Sequence, residues 1–491
     1  MKQSFSLFLA ILTILSVFVS CSNNEVDTLS ETIESNTVES STETETVDER
    51  ILIPDNLPEM TFEGRSYRLL QNESANSGFK DCAFAEDLTG EGVNDAVYNR
   101  NVRIEDRFNV TIEDVSIPGD VMDALAKTVN AGTSDYDTFY NGAVGTGMLV
   151  KNNYFINLNN LDYIDFNQPW WNPSTANDLT VNDVCFLAIG DSVMSSIAYT
   201  YCVVYDKVAA ENHQLEDPYE VVKDGRWTID YVKKMAEQVA QDLDGNGTWD
   251  LNDYYGFAVT NGSPANTFLW SFGLKIYTRQ PNGEMKYTFF SERTIDCMNT
   301  LVDFYLGNHK GIRANKEVNA ENDISTFINQ KTLFARASVD QLTQLGDYEN
   351  EYGVIPYPKY DEMQEDYYSM SDGGHSAIGV PNSPLDYDFV GIMIEAICAE
   401  TYKTVTPAYL DVCLKTRYSS SPEDAEMIDL CVRNCVFDFG YIYDAWNGVS
   451  FVPQTLVKSN KSDFASYYAK LKKIVEKHYN SVFDYFMEYD D

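Results

Sequence analysis

Residues 109–142, NVTIEDVSIPGDVMDALAKTVNAGTSDYDTFYNG, contain the pattern that decides the fold class. Within them, Val110–Val115 alternates apolar and polar residues, as a strand with one buried face does. Val121–Val129 carries apolar residues at helical spacing, and Gly132 follows at a position that favours a helix end. Asp137–Tyr140 is a second short run typical of a strand. The stretch therefore predicts a strand–helix–strand unit.

Segments upstream extend this alternation and indicate where a ligand would bind. Tyr67–Gln71 has the pattern of a strand, and Asn94–Phe108 has helical apolar spacing. Strands that alternate with helices predict an α/β lobe with a mostly parallel sheet. Ligands meet such sheets at the carboxyl ends of the strands, where Tyr140 and Asn141 lie. An ordinary strand–loop junction is the alternative for these two residues.

A series of short motifs follows in a fixed order. They are SDYDTFYNGAV (134–144), YFINLNNL (154–161), QPWWNPS (168–174), FLAIGDSV (186–193), YTYCVVYDKVAAEN (199–212), DGRWTIDYVKKMAEQV (224–239), DISTFINQKTLF (323–334) and YGVIPYPKYDEMQEDYYS (352–369). Their order and spacing, over about residues 60 to 490, resemble the family 1 extracellular solute-binding proteins. These are the maltose-binding-protein-like components of carbohydrate ABC importers. The resemblance includes a hinge strand that leads into Tyr205, Asp206 and Lys207, with Asp where the family has Asn.

The resemblance implies a fold and a mode of action. The fold class is α/β, in a two-lobed periplasmic-binding-protein-like arrangement (class II type) with a hinge of crossing strands and an interlobe cleft. Residues 60–203 and 335–381 would form the first lobe, and residues 204–334 and 382–491 the second. Such a protein is not an enzyme. It closes around a sugar or oligosaccharide by hinge motion and, as a monomer, delivers it to the permease subunits of an ABC transporter.

The N-terminus predicts export and a lipid anchor. Lys2 precedes a short apolar run, Phe5–Val19, which is too short to span a bilayer and is typical of a signal peptide over residues 1–20. The sequence FVSC, which ends at Cys21, resembles a bacterial lipobox, and this implies that Cys21 carries the lipid, palmitate included. An incidental cysteine is the alternative. Residues 21–55 are rich in Ser, Thr and Glu and predict a disordered acidic linker, so the expected location is the extracytoplasmic face of the cell membrane.

Composition excludes one class of partner and leaves the cysteines ambiguous. The formal net charge is -41, so a nucleic acid would be repelled. The chain is 44% hydrophobic and 13% aromatic, which supports a large core and aromatic-lined pockets. Of the 9 cysteines, Cys431 and Cys435 lie one helical turn apart without the other ligands of a zinc site. Burial as small side chains is expected, while disulfides stay open because their pairing cannot be derived.

Aromatic and polar side chains supply candidates for sugar contacts. Aromatic rings stack on the C–H faces of a sugar, while Asp and Asn bond its hydroxyls. The ligand-binding candidates are Tyr140, Asn141, Trp270, Asp372, Tyr441 and Trp446, and Trp170, Trp171 and Tyr443 are further aromatic candidates. We expect DFGYIYDAWNG (438–448) and DGGH (372–375) to be loops. Packing in the core is the alternative for each aromatic residue.

The stretch DLDGNGTWDLND (242–253) matches a calcium-binding loop. Gly247 falls at position six of an EF-hand, where a sharp turn is needed, and Ile229–Val239 predicts the amphipathic helix that precedes such a loop. Asp253 is shorter than the usual Glu at position twelve, and an acidic turn without metal is the alternative. We expect a structural Ca²⁺ ion held by Asp242, Asp244, Asn246, Thr248, Asp250 and Asp253.

Two other functions remain open. A secreted glycoside hydrolase would use paired carboxylates, and counting acidic residues cannot exclude one. The 4 histidines form no HExxH motif, and the sequence has no GxSxG elbow, Walker loop or GxGxxG motif that opens a helix. A peptide-binding component of an ABC importer would suit the same aromatic residues. Such proteins usually carry an additional domain, for which no segment is evident.

Overall fold

The computed structural model describes residues 48–73, 81, 83–307, 309–315, 323–414, 421–443, 448–461 and 463–489. The signal peptide, Cys21 and the linker up to residue 47 lie outside the described residues. The strands are β1 (Arg65–Asn72), β2 (Val110–Ile117), β3 (Thr138–Gly142), β4 (Tyr201–Asp206), β5 (Tyr255–Thr260), β6 (Tyr277–Arg279), β7 (Met285–Tyr287), β8 (Ile312–Asn315), β9 (Thr332–Ser338), β10 (Tyr352–Ile355) and β11 (Ser376–Gly379).

Helices separate most of these strands. They are α1 (Gly92–Phe108), α2 (Val121–Ala131), α3 (Ala143–Gly147), α4 (Ser195–Ala198), α5 (Lys207–Asn212), α6 (Pro218–Lys223), α7 (Ile229–Val239), α8 (Ser263–Ser271), α9 (Glu292–Leu306), α10 (Asp323–Ile328), α11 (Tyr387–Glu400), α12 (Thr406–Leu414), α13 (Pro422–Arg433), α14 (Phe439–Ile442), α15 (Val452–Lys458) and α16 (Phe464–Met487). Short 3₁₀ and π-helical turns connect some of them. No helix within the described ranges combines the length and the apolar character needed to cross a membrane.

The first sheet confirms the predicted strand–helix–strand unit. Its order is β11-β3-β1-β2, in which β1 runs parallel to β2 and β3, while β11 is antiparallel at the edge. The side chains of β2 alternate between buried and exposed as predicted, since Val110 and Ile112 are buried and Thr111 and Glu113 are exposed. Gly132 ends α2 with a φ of 65°, and its N–H donates to carbonyls of the last helical turn.

The second sheet has the order β10-β4-β9-β5-β8. β5 is parallel to β8 and β9, whereas β4 is antiparallel to β9 and β10. β4 is the predicted hinge strand, and it is buried along its whole length. The Asp206 carboxylate at its end accepts hydrogen bonds from Ala209 N at 2.8 Å, Tyr348 Oη at 2.7 Å and Asn350 Nδ2 at 2.8 Å. A carboxylate, which only accepts, suits these three donors.

Over the residues that the structure describes, the chain passes between the two sheets three times. Two passes lie side by side: the Tyr201 N–H donates to the Met370 carbonyl, and the Asp372 N–H donates to the Tyr199 carbonyl, each at 3.0 Å. The third pass runs from α11, which packs with the first sheet, to α13, which packs with β10 and β4. The two side-by-side passes therefore form the crossing strands, residues 199–201 and 369–372.

Sheet membership differs from the predicted lobe limits in two places. Residues 335–381 were expected in the first lobe, yet β10 and the end of β9 belong to the second sheet and only β11 joins the first. Residues 382–491 were expected in the second lobe, yet α11 packs with the first, where the Phe389 ring lies 6.1 Å from that of Tyr67. α13 packs on β10 and β4 of the second sheet, and α15 packs on α8 and α9, the helices that contact β5 and β8 of that sheet.

The described cysteines are all buried and unpaired with one another. Cys431 and Cys435, one turn apart, are 2% and 3% exposed, and both are free thiols. This confirms burial as small side chains for the described cysteines.

Candidate functional site

Three of the predicted ligand residues meet beside the crossing strands. Trp270 lies on α8, Tyr441 on α14, and Asp372 in the loop before β11. The rings of Trp270 and Tyr441 are 5.1 Å apart. A Cβ added to Gly373 would lie 2.6 Å from Tyr441 Oη, so this hydroxyl touches the loop next to Asp372. We name this site the interlobe seat; with its neighbours it comprises Tyr201, Asn266, Thr267, Trp270, Ser271, Tyr357, Ser371, Asp372, His375 and Tyr441.

Asp372 is a fixed acceptor at the seat. Its Oδ2 accepts a hydrogen bond from Tyr201 Oη at 2.6 Å, and its Oδ1 accepts one from the Gly374 N–H at 3.2 Å. Burial raises the pKa of Tyr201, and the neighbouring Asp372 carboxylate raises it further. Tyr201 therefore stays protonated and holds the carboxylate in place by a charge-assisted bond.

Aromatic side chains of the second lobe close the wall of the seat. The Tyr357 ring lies 6.3 Å from the ring of Tyr201 and 5.2 Å from the ring of Phe268, which lies on α8. Tyr357 therefore connects the crossing strand with α8 in this wall. The Arg336 guanidinium lies over the Tyr201 ring at 5.3 Å, and its Nε donates to Asp323 at 2.9 Å. Because Asp323 neutralises it, Arg336 supports the wall without adding net positive charge to the seat.

The seat contains buried polar atoms that lack hydrogen-bond partners among the described residues. Three lie on α8 at positions i, i+4 and i+5, so they share one side of that helix. Leaving such a group unpaired in the interior costs about 1–3 kcal/mol. Buried polar groups are normally paired, so this concentration indicates partners from outside the chain, either a ligand or ordered water. The atoms are Asn266 Nδ2, Trp270 Nε1, Ser271 Oγ, Ser371 Oγ and His375 Nε2, on side chains at most 1% exposed. The buried Thr267 and Tyr357 hydroxyls instead bond each other.

His375 presents a hydrogen-bond acceptor. Its Nδ1 lies 2.7 Å from the Asp372 carbonyl oxygen, so Nδ1 carries the proton and Nε2 keeps its lone pair. The ring packs edge-on against Phe437 at 5.0 Å. Burial lowers the pKa of His375 to about 4, which keeps the ring neutral at physiological pH. Sequence reasoning placed His375 in a polar loop but gave it no role, since nothing in DGGH shows that one member is buried.

The other predicted ligand residues lie apart from the seat or outside the described residues. Tyr140 points into the first-lobe core near Cys398, and burial raises its pKa. Asn141 Nδ2 donates to Thr146 Oγ1 at 2.9 Å and lies opposite the strand that follows the Asp372 loop. Trp446 falls outside the described residues. The structure therefore brings together Trp270, Asp372 and Tyr441 and leaves Tyr140 in the core.

The Trp170–Trp171 pair bonds to a buried acid. The two indole N–H groups donate to the two carboxylate oxygens of Glu395 on α11, at 2.9 Å and 3.0 Å. Burial raises the pKa of Glu395 to about 8, although both indole bonds lower it. The pair therefore holds α11 within the first lobe.

Segment 438–448 is partly helical, so the prediction of a loop was wrong for its first half. Phe439–Ile442 forms α14, and Asp438 caps it by accepting from the Gly440 N–H at 2.8 Å. The same carboxylate accepts from the Ile276 N–H at 2.7 Å, and burial raises its pKa to about 6. Packing of this aromatic-rich segment against the second lobe overrides the loop-like Gly and Asp content.

A pocket of about 470 Å³ lies on the other side of the crossing strands. Trp171, Tyr402 and Cys435 are among its lining residues. Cys435 lies against the Thr200 side chain, and successive side chains of an extended segment point to opposite faces, so Tyr201 points away from this pocket. His375 of the seat packs against Phe437, and Cys435 adjoins Ser371 and Tyr441, so this pocket borders the seat and the two together are the candidate for ligand binding.

The predicted calcium loop has a tight, acid-lined turn. Carboxylate oxygens of Asp242, Asp244 and Asp253 lie within 4.8 Å of one another. Asp242 accepts from the N–H groups of Gly245 and Gly247, both at 2.8 Å. These glycines have φ values of 68° and 78°, a region that favours glycine. The preceding helix α7 has the predicted bounds.

The remaining predicted ligands bond within the loop. Asn246 Oδ1 accepts from the Thr248 N–H at 2.5 Å, and Asp250 Oδ1 accepts from the Asn252 N–H at 2.7 Å. A strand, β5, follows the loop where an EF-hand has its second helix. Three of the six predicted ligands are therefore assembled, and the other three lie nearby along the same loop.

Comparison with known proteins shows a similar fold at low sequence identity. No family model and no curated protein matches the sequence. A sugar transporter from Rhizobium etli in an open conformation has a TM-score of 0.56 and 13% identity, covering 84% of this chain and 99% of that one. UspC from M. tuberculosis has a TM-score of 0.54 and 13% identity, covering 84% and 100%. UgpB from M. tuberculosis in complex with glycerophosphocholine has a TM-score of 0.51 and 15% identity, covering 85% and 98%.

These likenesses extend over most of the described chain and over nearly the whole of each neighbour. They agree with two mixed sheets joined by crossing strands, as the sequence motifs predicted. The chain has the two-lobed, periplasmic-binding-protein-like α/β fold, as these neighbours do.

Proposed function

We propose that this protein is an extracytoplasmic substrate-binding lipoprotein of an ABC importer, which captures a sugar or oligosaccharide and delivers it to a membrane permease. The observation that carries the proposal is the interlobe seat. Its aromatic rings suit the C–H faces of a sugar, and its unpaired donors and acceptors suit sugar hydroxyls. A cleft that combines apolar walls with a few convergent polar groups is the usual form of a small-molecule site.

Contacts across the seat support capture by hinge closure. α3 follows the last parallel strand of the first sheet, and α14 packs with the second lobe. A Cβ on Gly147 of α3 would lie 2.2 Å from the Ile442 carbonyl oxygen of α14, so the two sides touch. A ligand that bonds both sides stabilises this closed form by its differential affinity for closed over open.

Titration calorimetry with a panel of saccharides tests the proposal. We expect at least one saccharide to bind stoichiometrically and to be recovered unchanged. Trp270→Ala should remove the binding, because it deletes a ring and an indole donor from the seat. Trp249→Ala is the matched control, since Trp249 lies on the calcium loop beside Tyr255. Failure of every saccharide to bind would contradict the proposal.

The same experiment separates two other functions. A glycoside hydrolase would release product, and its mechanism needs two carboxylates flanking the bond, whereas Asp372 is the single carboxylate among the seat residues as defined above. A peptide-binding component would give heat with di- and tripeptides and none with sugars. The fully neutral set of unpaired groups favours the sugar.

The lipid anchor is proposed from the sequence around Cys21, which lies outside the described residues. Labelling cells with a palmitate analogue should mark the protein and place it in the membrane fraction. Cys21→Ala should abolish the label and release the protein. Cys82→Ala is the control, because it removes a thiol that lacks a preceding apolar run.

We also propose that the loop 242–253 binds a structural Ca²⁺ ion. Three carboxylates gathered within 4.8 Å repel one another, and among the described residues no basic side chain forms an ion pair with them. A divalent cation relieves that repulsion. Calcium should therefore raise the melting temperature, and absence of binding at millimolar Ca²⁺ in calorimetry would contradict this.

A further inference from the structure

We infer that the first turn of the described chain, residues 48–53, is part of the ligand site: Arg50 donates hydrogen bonds to the bound ligand, and the ligand in return holds this turn on the body. The inference rests on the proposed function and adds a coupling between the ligand and the segment that joins the body to the predicted linker. It follows from where Arg50 lies, from its unused donors and from how lightly the turn is held.

Arg50 lines the pocket of about 470 Å³ that borders the seat. Its guanidinium lies 5.3 Å from the centre of the Tyr402 ring, on the π-helical turn that follows α11. Its Nη2 lies 3.9 Å from Oδ1 of Asp429 on α13. Since α11 packs with the first sheet and α13 packs with β10 and β4 of the second, Arg50 lies against elements of both lobes.

The guanidinium of Arg50 has hydrogen-bond donors without acceptors. Its side chain is 23% exposed and makes no hydrogen bond to another described residue, because the Asp429 oxygen at 3.9 Å is too far away. Asp429 instead pairs with Arg433, whose Nε lies 2.6 Å from Oδ2. The N–H groups of a mostly buried arginine therefore need acceptors from outside the chain, and the pocket gives a ligand access to them.

The shape and surroundings of the guanidinium specify what it would bind. Two of its N–H groups are parallel and lie in one plane, so they match two neighbouring oxygen atoms. Two acids offset its charge: Asp429 faces it, and Asp191 lies nearby. Burial raises the pKa of Asp191 to about 7, and Arg50 is near enough to lower it. A pair of adjacent hydroxyl groups therefore fits Arg50 better than an anionic group does.

The turn that carries Arg50 is held lightly. No residue of Glu49–Leu52 is buried, and Ile51 and Leu52 are 57% and 71% exposed. Because coupling between two binding events is reciprocal, a ligand that bonds Arg50 stabilises the docked turn as much as the docked turn strengthens ligand binding. The bound ligand therefore fixes on the body the point at which the predicted linker joins it.

Calorimetry with deoxygenated sugars tests the contact. The probes are glucose, galactose, xylose, maltose, lactose and xylobiose, with the monodeoxy analogues of those that bind. Arg50→Gln should lower the affinity about tenfold, and Arg50→Lys should not restore it, because lysine lacks the planar pair of donors. Loss of a hydroxyl that Arg50 bonds should weaken binding to the parent about tenfold but should have little further effect on Arg50→Gln, since both changes delete one interaction.

Arg293→Gln is the matched control. Arg293 also lies over a tyrosine ring, that of Tyr360 at 4.3 Å, but it already donates to Asp361 at 2.6 Å and is not among the residues that line the pocket. Its affinity and its pattern across the deoxy analogues should equal those of the parent.

Hydrogen exchange tests the coupling. The amides of Arg50, Ile51 and Ile53 donate hydrogen bonds within the turn, so their exchange reports on its order. A saturating concentration of the bound saccharide should slow this exchange about tenfold in the parent and leave it unchanged in Arg50→Gln.

The outcomes separate the two claims. Equal losses from every deoxy analogue in the parent and in Arg50→Gln, or exchange of the turn that is the same with and without ligand, would overturn this inference and leave the binding function standing. Absence of binding by every saccharide would overturn the proposed function, and this inference with it.

Discussion

Two buried tryptophans differ in what their indole N–H groups bond. Trp227 Nε1 donates to the Pro356 carbonyl at 2.9 Å, whereas Trp270 Nε1 has no partner among the described residues. Replacement by Phe removes a similar volume at both sites. Without ligand, we expect Trp227→Phe to lower the free energy of unfolding by about 1 kcal/mol more than Trp270→Phe, because it breaks a formed bond. Urea unfolding measures both, and equal losses would show that Trp270 is paired in solution.

Glu395 gives the first lobe a dependence on pH. Burial raises its pKa from 4.5 to about 8, so the folded protein keeps the proton that the unfolded chain releases. The stability this provides is complete below about pH 4.5 and is lost as pH rises through about 8. Glu395→Gln cannot titrate and should flatten the decline of unfolding free energy between these values. Glu220→Gln, an exposed change, serves as control, and equal slopes in all three proteins would contradict the assignment.

At the level of single residues, the sequence predicted some members of the interlobe seat. Trp270, Asp372 and Tyr441 were predicted because each has a side chain suited to a sugar, and Asp372 and Tyr441 lie in segments expected to be loops. Tyr357 and the polar side of α8 were missed, since SPANTFLWS carries no periodic signal that distinguishes a ligand-facing side from a buried one. Tyr140 was assigned to a strand end correctly, but its side chain points into the core because facing alternates along a strand.

At the scale of elements, the calcium loop offers a sharp test. Asp244→Asn removes one of the three gathered carboxylates and should weaken Ca²⁺ binding about tenfold or more, because affinity follows the number of charged ligands. Asp230→Asn, which changes an exposed acid on the preceding helix α7, should bind Ca²⁺ as the parent does. The shift in melting temperature with added Ca²⁺ measures the effect. Indistinguishable shifts in the two variants would rule out the loop as the site.

Periodicity predicted the start of β2 and α2 in the first lobe and both bounds of α7 in the second. These segments have one buried and one exposed face, so the pattern of their residues reports their structure. α14 was missed because all its aromatic residues are buried, and a segment buried on every side leaves no alternation to detect.

For the whole molecule, Gly147 controls how closely the two sides approach. Gly147→Ala places a methyl group 2.2 Å from the Ile442 carbonyl oxygen and should hold the lobes apart. With the ligand present, X-ray scattering should give a larger radius of gyration for Gly147→Ala than for the parent protein. The affinity of this variant for the ligand should be about tenfold lower. Gly145→Ala, two residues away with no atom within 4 Å of the added methyl, should behave as the parent does. Identical scattering profiles for both variants would contradict this prediction, because they would show that the methyl group at position 147 does not keep α3 and α14 apart.

The lobe limits were the least predictable feature. A resemblance in motifs fixes their order along the chain, but the sheet that each strand joins depends on pairing between segments far apart. β10 pairs with β4 about 150 residues earlier, and no local pattern records such a partner. The residues of the seat come together through the same distant pairings.

The threefold passage of the chain also constrains how the protein can mature. The edge strand of the first sheet begins at Ser376, and the helix that covers that lobe ends at Glu400. A chain that emerges from the ribosome in sequence order cannot complete its first lobe until most of its second half has followed. Partly synthesised intermediates would expose apolar sheet surface, so a chaperone that shields unfolded chains should matter more here than for a protein whose domains fold one after another.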